Sequence, residues 1–359
     1  MIEAEYFVQC ARRHGFSLYA GVPCSYLKPF INHVIEADDL CYVGATNEGD
    51  AVAIAAGAEL GGRRSVAMFQ NSGLGNAVNP LTSLTHVFRI PILIITTLRG
   101  EPGGPPDEPQ HELMGSITIE LLETMQIPWR YFPTEAADVE VVLAEASDYM
   151  RDQGRPFALV MRKGSVAPTT LTVTATSRPC DVATDEAAIA SQSRHEMLES
   201  IRAASRDDDV LVATTGYTGR ELYAVGDRRN QIYLVGSMGC AMSVGLGLAI
   251  AQPQRRIIVI DGDGALLMRL GGLCTLGYER PPNLVHILLD NGIHESTGGQ
   301  STVSHSVNFC ALASASGYPR TLAVSTAGEL HDALSLPTEC LSFIHAPIVP
   351  GIPEALPRP

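Results

Sequence analysis

Asp263 lies between two glycines, Gly262-Asp263-Gly264, just after the apolar run Ile257-Ile258-Val259-Ile260, and Asp290-Asn291 follows a second apolar run from Leu284 to Leu289. Each polar group stands where a buried strand should end, so one carboxylate and one amide oxygen meet at neighbouring strand tips. The interval between them is about what a strand, crossover helix and return strand consume, roughly 30 residues. Oxygen donors so placed suit a hard cation: magnesium takes an octahedron of oxygens and completes it with phosphate oxygens. The two glycines let backbone N–H groups approach a diphosphate at the start of the following helix. A Gly-Asp-Gly tripeptide alone marks a tight turn as readily as a cofactor loop. The strand context and the distant Asp-Asn pair favour a magnesium-diphosphate cofactor.

Positioning such a pair requires parallel strands, and the chain supplies them. Short β-rich runs alternate with Ala/Leu-rich helical stretches in both halves, the pattern of parallel α/β sheets covered by helices. In the first half the expected strands are Leu18 to Val22, Cys41 to Ala45, Ser65 to Phe69, Ile92 to Thr96 and Phe157 to Met161. In the second they are Val210 to Thr214, Ile232 to Val235, Ile257 to Ile260, Val285 to Leu289 and Leu341 to His345. A Pro/Thr/Ser/Ala-rich stretch without helical periodicity separates them and reads as a linker. The expected division is a first domain over 1–168, a linker over 169–190 and a second domain over 191–359.

Three further segments carry polar groups at strand ends. Asn47-Glu48-Gly49-Asp50 follows the strand ending at Ala45 and opens a helix expected over Ala51 to Leu60. Its acids suit the helix dipole as well as a catalytic role. Val235-Gly236-Ser237-Met238-Gly239 precedes a Gly/Ala-rich helix from Cys240 to Ala251, where the methionine serves equally as core filler. Asn71-Ser72-Gly73-Leu74-Gly75-Asn76 reads as a Gly-rich turn without the lysine of a phosphate loop.

These residues together resemble the thiamine diphosphate (ThDP) enzymes, whose GDG is answered some 25 to 30 residues later by an Asn-Asn or Asp-Asn pair. Gly21-Val22-Pro23, Asn71 to Asn76, Arg99-Gly100-Glu101-Pro102-Gly103, Asp107-Glu108-Pro109-Gln110-His111 and His294-Glu295-Ser296-Thr297-Gly298-Gly299-Gln300 narrow the resemblance to the phosphonopyruvate decarboxylase family, with sulfopyruvate decarboxylase as the neighbouring alternative. The resemblance implies two similar ThDP-binding domains, the first for the pyrimidine and the second for the diphosphate, each a mostly parallel sheet with helices on both faces, and no middle domain. It implies Asp263, Asn291 and the Ile293 carbonyl as ligands to Mg2+, with Gly262 and Gly264 beside the diphosphate. It further implies that Glu48 hydrogen-bonds N1′ of the aminopyrimidine, that the Gly236 carbonyl holds its 4′-amino group and that Met238 wedges the cofactor into a V. Where the family pattern leads one to expect a histidine, this chain has Tyr217.

The implied reaction is non-oxidative decarboxylation of 3-phosphonopyruvate to phosphonoacetaldehyde and CO2, in the biosynthesis of a phosphonate natural product such as an antibiotic. A small anionic 2-keto acid needs cations and N–H donors at loop tips. Lys28, Arg99, Arg220 and Arg358 are the candidates, with His111 and His294 as proton-transfer groups. The family places the pyrimidine half of one subunit against the diphosphate half of another, so a homodimer or higher homo-oligomer is expected.

Composition narrows the partners. A net charge of −14 with no Lys/Arg run argues against nucleic acid and anionic membrane surfaces, both of which require a basic face. The eight cysteines show no CxxC pair or metal-ligand spacing, which suits a reduced, cytoplasmic protein. Neither a signal peptide nor an apolar run near the roughly 20 residues of a membrane span is visible.

Overall fold

The computed structural model describes residues 1–172, 188–297, 299–353 and 355–359. Contacts divide the chain into two compact units, Met1–Thr176 and Ser177–Pro359. The expected linker falls largely on residues outside those described.

The first unit runs α1 (Ala4–Arg13), β1 (Leu18–Gly21), α2 (Lys28–Glu36), β2 (Cys41–Gly44), α3 (Glu48–Leu60), β3 (Ser65–Phe69), α4 (Leu74–Pro80) and α5 (His86–Phe88). It continues with β4 (Leu93–Thr97), α6 (Glu112–Thr124), β5 (Trp129–Tyr131), α7 (Ala136–Gln153) and β6 (Phe157–Met161). Its six strands are all parallel, in the order β2-β1-β3-β4-β6-β5. Every residue of β1, β3, β4 and β6 is buried, as parallel strands covered on both faces must be. On one face Phe7 of α1, Phe30 of α2 and Leu143 of α7 pack against Tyr19, Met68, Ile95 and Leu159. On the other, α3 lies against β1 and β3, and its residues from Gly49 to Ala58 are buried all the way round. That helix begins at Glu48 rather than at Ala51, because the Asn47 side chain caps it by accepting from Gly49 N at 2.8 Å.

The second unit runs α8 (Arg194–Ala204), β7 (Val210–Ala213), α9 (Tyr217–Val225), β8 (Gln231–Tyr233), α10 (Ala241–Ala251), β9 (Ile257–Gly262) and α11 (Asp263–Met268). There follow α12 (Gly272–Glu279), β10 (Leu284–Asp290), β11 (Ile293–His294), β12 (Gln300–Ser301), α13 (Phe309–Ala315), β13 (Arg320–Ala323), α14 (Ala327–Ser335) and β14 (Ser342–Pro347). Six strands again form a parallel sheet, in the order β13-β14-β10-β9-β7-β8, while β11 and β12 form a small antiparallel hairpin. Leu198 of α8, Leu222 of α9 and Leu330 of α14 cover one sheet face through Ile258, Ile260, Ile287 and Ile344. The register pairs Leu289 with Gly262, so Asp263 and Asn291 do emerge from adjacent strand ends.

Besides the hairpin strands β11 and β12, two strands of the parallel sheets escape the sequence pattern, β5 and β13. Both are sheet edges and neither contains a fully buried residue. A strand that is neither central nor covered on both faces needs no apolar run. The expected strand end at Val235 also moves: β8 stops at Tyr233, and Val235 is exposed.

Helix α10 lies close on the sheet's second face because Gly245 has no side chain; a Cβ there would sit 2.2 Å from Val259 Cγ2. Alanine is otherwise favoured over glycine in a helix by about 1 kcal/mol, but overpacking a full core costs about 1–3 kcal/mol. Gly245→Ala is therefore expected to lower the urea midpoint, and an unchanged or raised midpoint would show that the helix rests less tightly than drawn.

Candidate active site

In the second unit Met238, Asp263, Gly264, Asn291, Ile293 and His294 line one cleft at the C-terminal ends of the strands, where open α/β sheets bind ligands. Asp263 is 3% exposed, and Thr302 Oγ1 donates to its Oδ2 at 2.5 Å. Burial pushes this carboxyl's pKa up, with the Thr302 bond opposing and the charge of Asp290 adding. No ion pair to Asp263 occurs among the described residues. Asp290 behaves oppositely: burial works against its ionisation, but the hydrogen bond and charge of His345, with Nε2 at 3.1 Å from Oδ2, hold its pKa below the usual range. Asn291 turns its amide oxygen back to accept from Ile293 N at 3.2 Å. The β11–β12 hairpin uses the carbonyls of Gly292 and His294 as acceptors, the two that flank Ile293.

The glycines leave room of two kinds. At Gly264 a Cβ would lie 2.6 Å from His294 Cε1 and 3.4 Å from Met238 Cε, so glycine lets both side chains close on the loop. At Gly262 the nearest atom among the described residues would be Thr214 Cγ2 at 3.9 Å, so room for about one methyl group lies beside the loop. Gly236 begins the turn between β8 and α10, and the next residue, Ser237, is buried with φ 52°. Left-handed backbone at a non-glycine residue is costly and concentrates at ligand clamps and active sites. A buried carboxylate lacking a counter-ion, an amide oxygen, a carbonyl and the room beside Gly262 together fit a hard divalent cation holding a diphosphate.

A buried ion-pair hub borders the cleft. Arg194 bridges Glu221, at 2.5 Å, and Glu295, while Glu295 Oε1 accepts from Gly351 N at 2.5 Å. One arginine thus ties α8, α9, the segment after β11 and the C-terminal segment together. Arg220 also engages that segment, donating to the carbonyls of Leu356 at 2.6 Å and Pro357 at 3.2 Å. Tyr217 lies beneath both guanidiniums, 5.8 Å from Arg194 and 5.5 Å from Arg220. A neighbouring cavity of ≈ 340 Å³ is lined by Arg220 and the exposed Arg358.

In the first unit Glu48 is half-buried in the first turn of α3, and Asn76 Nδ2 donates to its Oε2 at 2.8 Å. Arg99, expected as a substrate cation, instead forms a bidentate pair with Asp107, Nε to Oδ2 at 3.0 Å and Nη2 to Oδ1 at 2.5 Å. Tyr26 OH adds a bond to Asp107 at 3.1 Å, and its ring lies 5.3 Å from the guanidinium. The bond from Arg99 holds the Asp107 carboxyl far below the usual range. His111 is buried, with Nε2 3.7 Å from Glu108 and Nδ1 without a hydrogen-bond partner among the described residues. Asp107, Glu108 and His111 also lie close enough to hold a cation, but the guanidinium of Arg99 already fills that role. Lys28 is exposed at the start of α2.

Sequence reasoning missed Thr302, the Asp290–His345 bond and the Arg194 hub, since their partners are distant in the chain. Asn76 lay inside a motif without an assigned role.

Residues 215–345 match the family described as "Thiamine pyrophosphate enzyme, C-terminal TPP binding domain" and residues 1–119 its N-terminal TPP binding domain. A phosphonopyruvate decarboxylase of Streptomyces viridochromogenes is 44% identical over 96% of this chain and 88% of its own length. A sulfopyruvate decarboxylase of Methanosarcina acetivorans is 30% identical over 97% of this chain and 91% of its own. The crystal structure of a benzoylformate decarboxylase from Polynucleobacter necessarius shares the fold, with a TM-score of 0.73 and 15% identity, covering 97% of this chain and 99% of that one.

The raised pKa of Asp263 has a stability consequence. On unfolding, its carboxyl recovers an ordinary, lower pKa, so the cation-free fold carries a penalty. That penalty begins above the unfolded value and grows as pH rises through the folded one. Asp263→Asn removes it, so the cation-free variant is expected to melt above wild type at neutral pH, with the difference vanishing in acid. The same variant should show no thermal shift on adding Mg2+ with ThDP. A variant that melts lower at neutral pH, or still shifts, would overturn the assignment of a strained, cation-seeking carboxylate.

Proposed function

The chain belongs to the phosphonopyruvate decarboxylase family of thiamine pyrophosphate enzymes, and from that premise we propose that it converts 3-phosphonopyruvate to phosphonoacetaldehyde and CO2. The observation that carries this reading is 44% identity along 96% of the chain, and it is supported by Asp263, Asn291 and Ile293 lining one cleft. The greater distance of the sulfopyruvate relative, at 30%, favours a phosphonate over a sulfonate. We place the reaction in the cytoplasm, in the biosynthesis of a phosphonate natural product.

Bound ThDP supplies the electron sink that lets CO2 depart without oxidation. The remaining work falls to the protein. Asp263, Asn291 and the Ile293 carbonyl hold Mg2+ against the diphosphate, with Gly262 and Gly264 giving the backbone close approach. Gly236 and Met238 seat the aminopyrimidine, and the carboxyl of Glu48 holds a proton at N1′. His111 and His294 are the groups to move protons at the reacting carbon. Lys28 and Arg358 are the more available phosphonate partners, because Arg99 and Arg220 are already engaged. Residues 1–168 form the pyrimidine domain and 191–359 the diphosphate domain, joined by 169–190. Two copies of the chain pair to complete each site.

Three measurements test this. Phosphonopyruvate should exceed pyruvate in kcat/KM by well over the 10- to 200-fold that one methylene can give, about 1–3 kcal/mol, since pyruvate lacks the dianion that charge-assisted bonds would hold. A preference for sulfopyruvate or pyruvate would mean a different substrate. Glu48→Ala should retain ThDP but lose at least about a hundredfold in C2–H exchange and turnover, and unchanged exchange by NMR would remove Glu48 from catalysis. Mixed Glu48→Ala and Asn291→Ala subunits should regain part of the activity; no recovery after verified exchange of subunits would count against shared sites.

A further inference from the structure

Gly73 has an ordinary right-handed backbone, φ −83° and ψ −7°, so nothing in its conformation calls for glycine. Any other residue would restrict the unfolded chain and favour the helical turn, and glycine at such a place costs roughly 0.5–1 kcal/mol relative to alanine. The three atoms that a side chain would meet first all belong to one residue. A Cβ on Gly73 would lie 2.1 Å from Glu48 Oε1, 2.3 Å from its Cδ and 2.4 Å from its Cγ. Three residues on, the exposed Asn76 donates to Glu48 Oε2 at 2.8 Å. A solvent-exposed side-chain bond of this kind adds little to the stability of a fold, so its value must lie in where it holds the carboxyl.

The segment that carries both residues is itself anchored. Asn71 is fully buried and donates from Nδ2 to Arg99 O and to Thr118 Oγ1, both at 3.0 Å. Its Oδ1 accepts from Arg99 N and Thr97 Oγ1, both at 3.2 Å. Such a satisfied amide locks the turn Asn71–Gly73 and the start of α4 to the end of β4 and the middle of α6.

We propose that Asn71, Gly73 and Asn76 form a rigid cradle for Glu48, in which Gly73 provides the space and Asn76 is a positioning residue that fixes the carboxyl by donating to Oε2. The donated bond keeps Oε2 an acceptor and directs the acid's proton to Oε1. The proposal rests on the reading of Glu48 as the carboxyl that serves the aminopyrimidine, but its geometry is testable apart from turnover.

One arm measures stability in the absence of cofactor. Gly73→Ala should raise the melting temperature more in the Glu48→Ala background, where the collision is gone, than in wild type; equal shifts in both backgrounds would overturn the cradle. The other arm measures C2–H exchange of bound ThDP by NMR. Asn76→Ala removes the donor, and Asn76→Asp keeps the shape but puts a second carboxylate against the first, so that the pair must share a proton. Both should bind ThDP within about threefold of wild type while exchange falls by roughly tenfold to a hundredfold, the scale of a misplaced catalytic group. The aspartate variant should also show an altered pH profile. Wild-type exchange and pH profile in both variants would overturn the positioning role, whereas Glu48→Ala exchanging like wild type would overturn the catalytic reading beneath it.

Discussion

A carboxylate held in a low-dielectric cleft without a counter-ion is the constraint around which the second unit is built. Asp263 cannot be neutralised by a neighbour, because the nearby acid, Asp290, adds to its charge, and His345 serves Asp290 instead. Thr302 and the backbone N–H groups of Gly264 and of Asp263 itself offer hydrogen bonds that oppose the cost of burial without overcoming it. The surrounding elements keep that instability available: the β9–β10 register fixes the position of Asp263, and Gly262 leaves space beside it. A hard divalent cation would be the natural complement to such a carboxylate.

The first unit solves a different problem, the aim of a single side chain. Glu48 has a flexible stem, but its helix start is fixed by the Asn47 cap, and its head lies against Gly73 and Asn76. Nearby, Arg99 is committed to Asp107 and Tyr26. A guanidinium already paired in this way is a weaker attractant for a dianionic substrate than a free one, because the anion must compete with a bidentate carboxylate. Of the cations that stand at strand ends, Arg220 is likewise occupied, by the carbonyls of Leu356 and Pro357. Charge recognition thus depends less on how many basic residues the chain has than on which of them remain unspent.

The central strands were legible because a strand covered on both faces is largely apolar, as β1, β3, β9 and β10 are, with Asp261 and His286 among the buried polar exceptions. The edge strands β5 and β13 were not, since partial exposure permits Trp129-Arg130-Tyr131 and Arg320-Thr321-Leu322-Ala323 to look like loop. The same distinction runs through the site. Gly262-Asp263-Gly264 and Asp290-Asn291 advertise themselves by standing next to apolar runs, whereas Thr302 and Arg194 stand among ordinary polar residues.

The sequence by itself determined the alternation of strands and helices, the two parallel sheets and the placing of oxygen donors at the ends of two particular strands. These follow from local rules, since periodicity and the polar residue that ends an apolar run are properties of contiguous chain. Tertiary structure alone decided that Arg194 would hold both Glu221 and Glu295, that Arg99 would be spent on Asp107, and that Gly73 would lie beneath Glu48. Except for Arg99 and Asp107, these partners lie more than twenty residues apart. A pairing between charged or polar side chains leaves no periodic trace, because any of many acids could satisfy a given arginine. Only the folded backbone, by bringing one of them within hydrogen-bond reach and burying the pair, makes the choice.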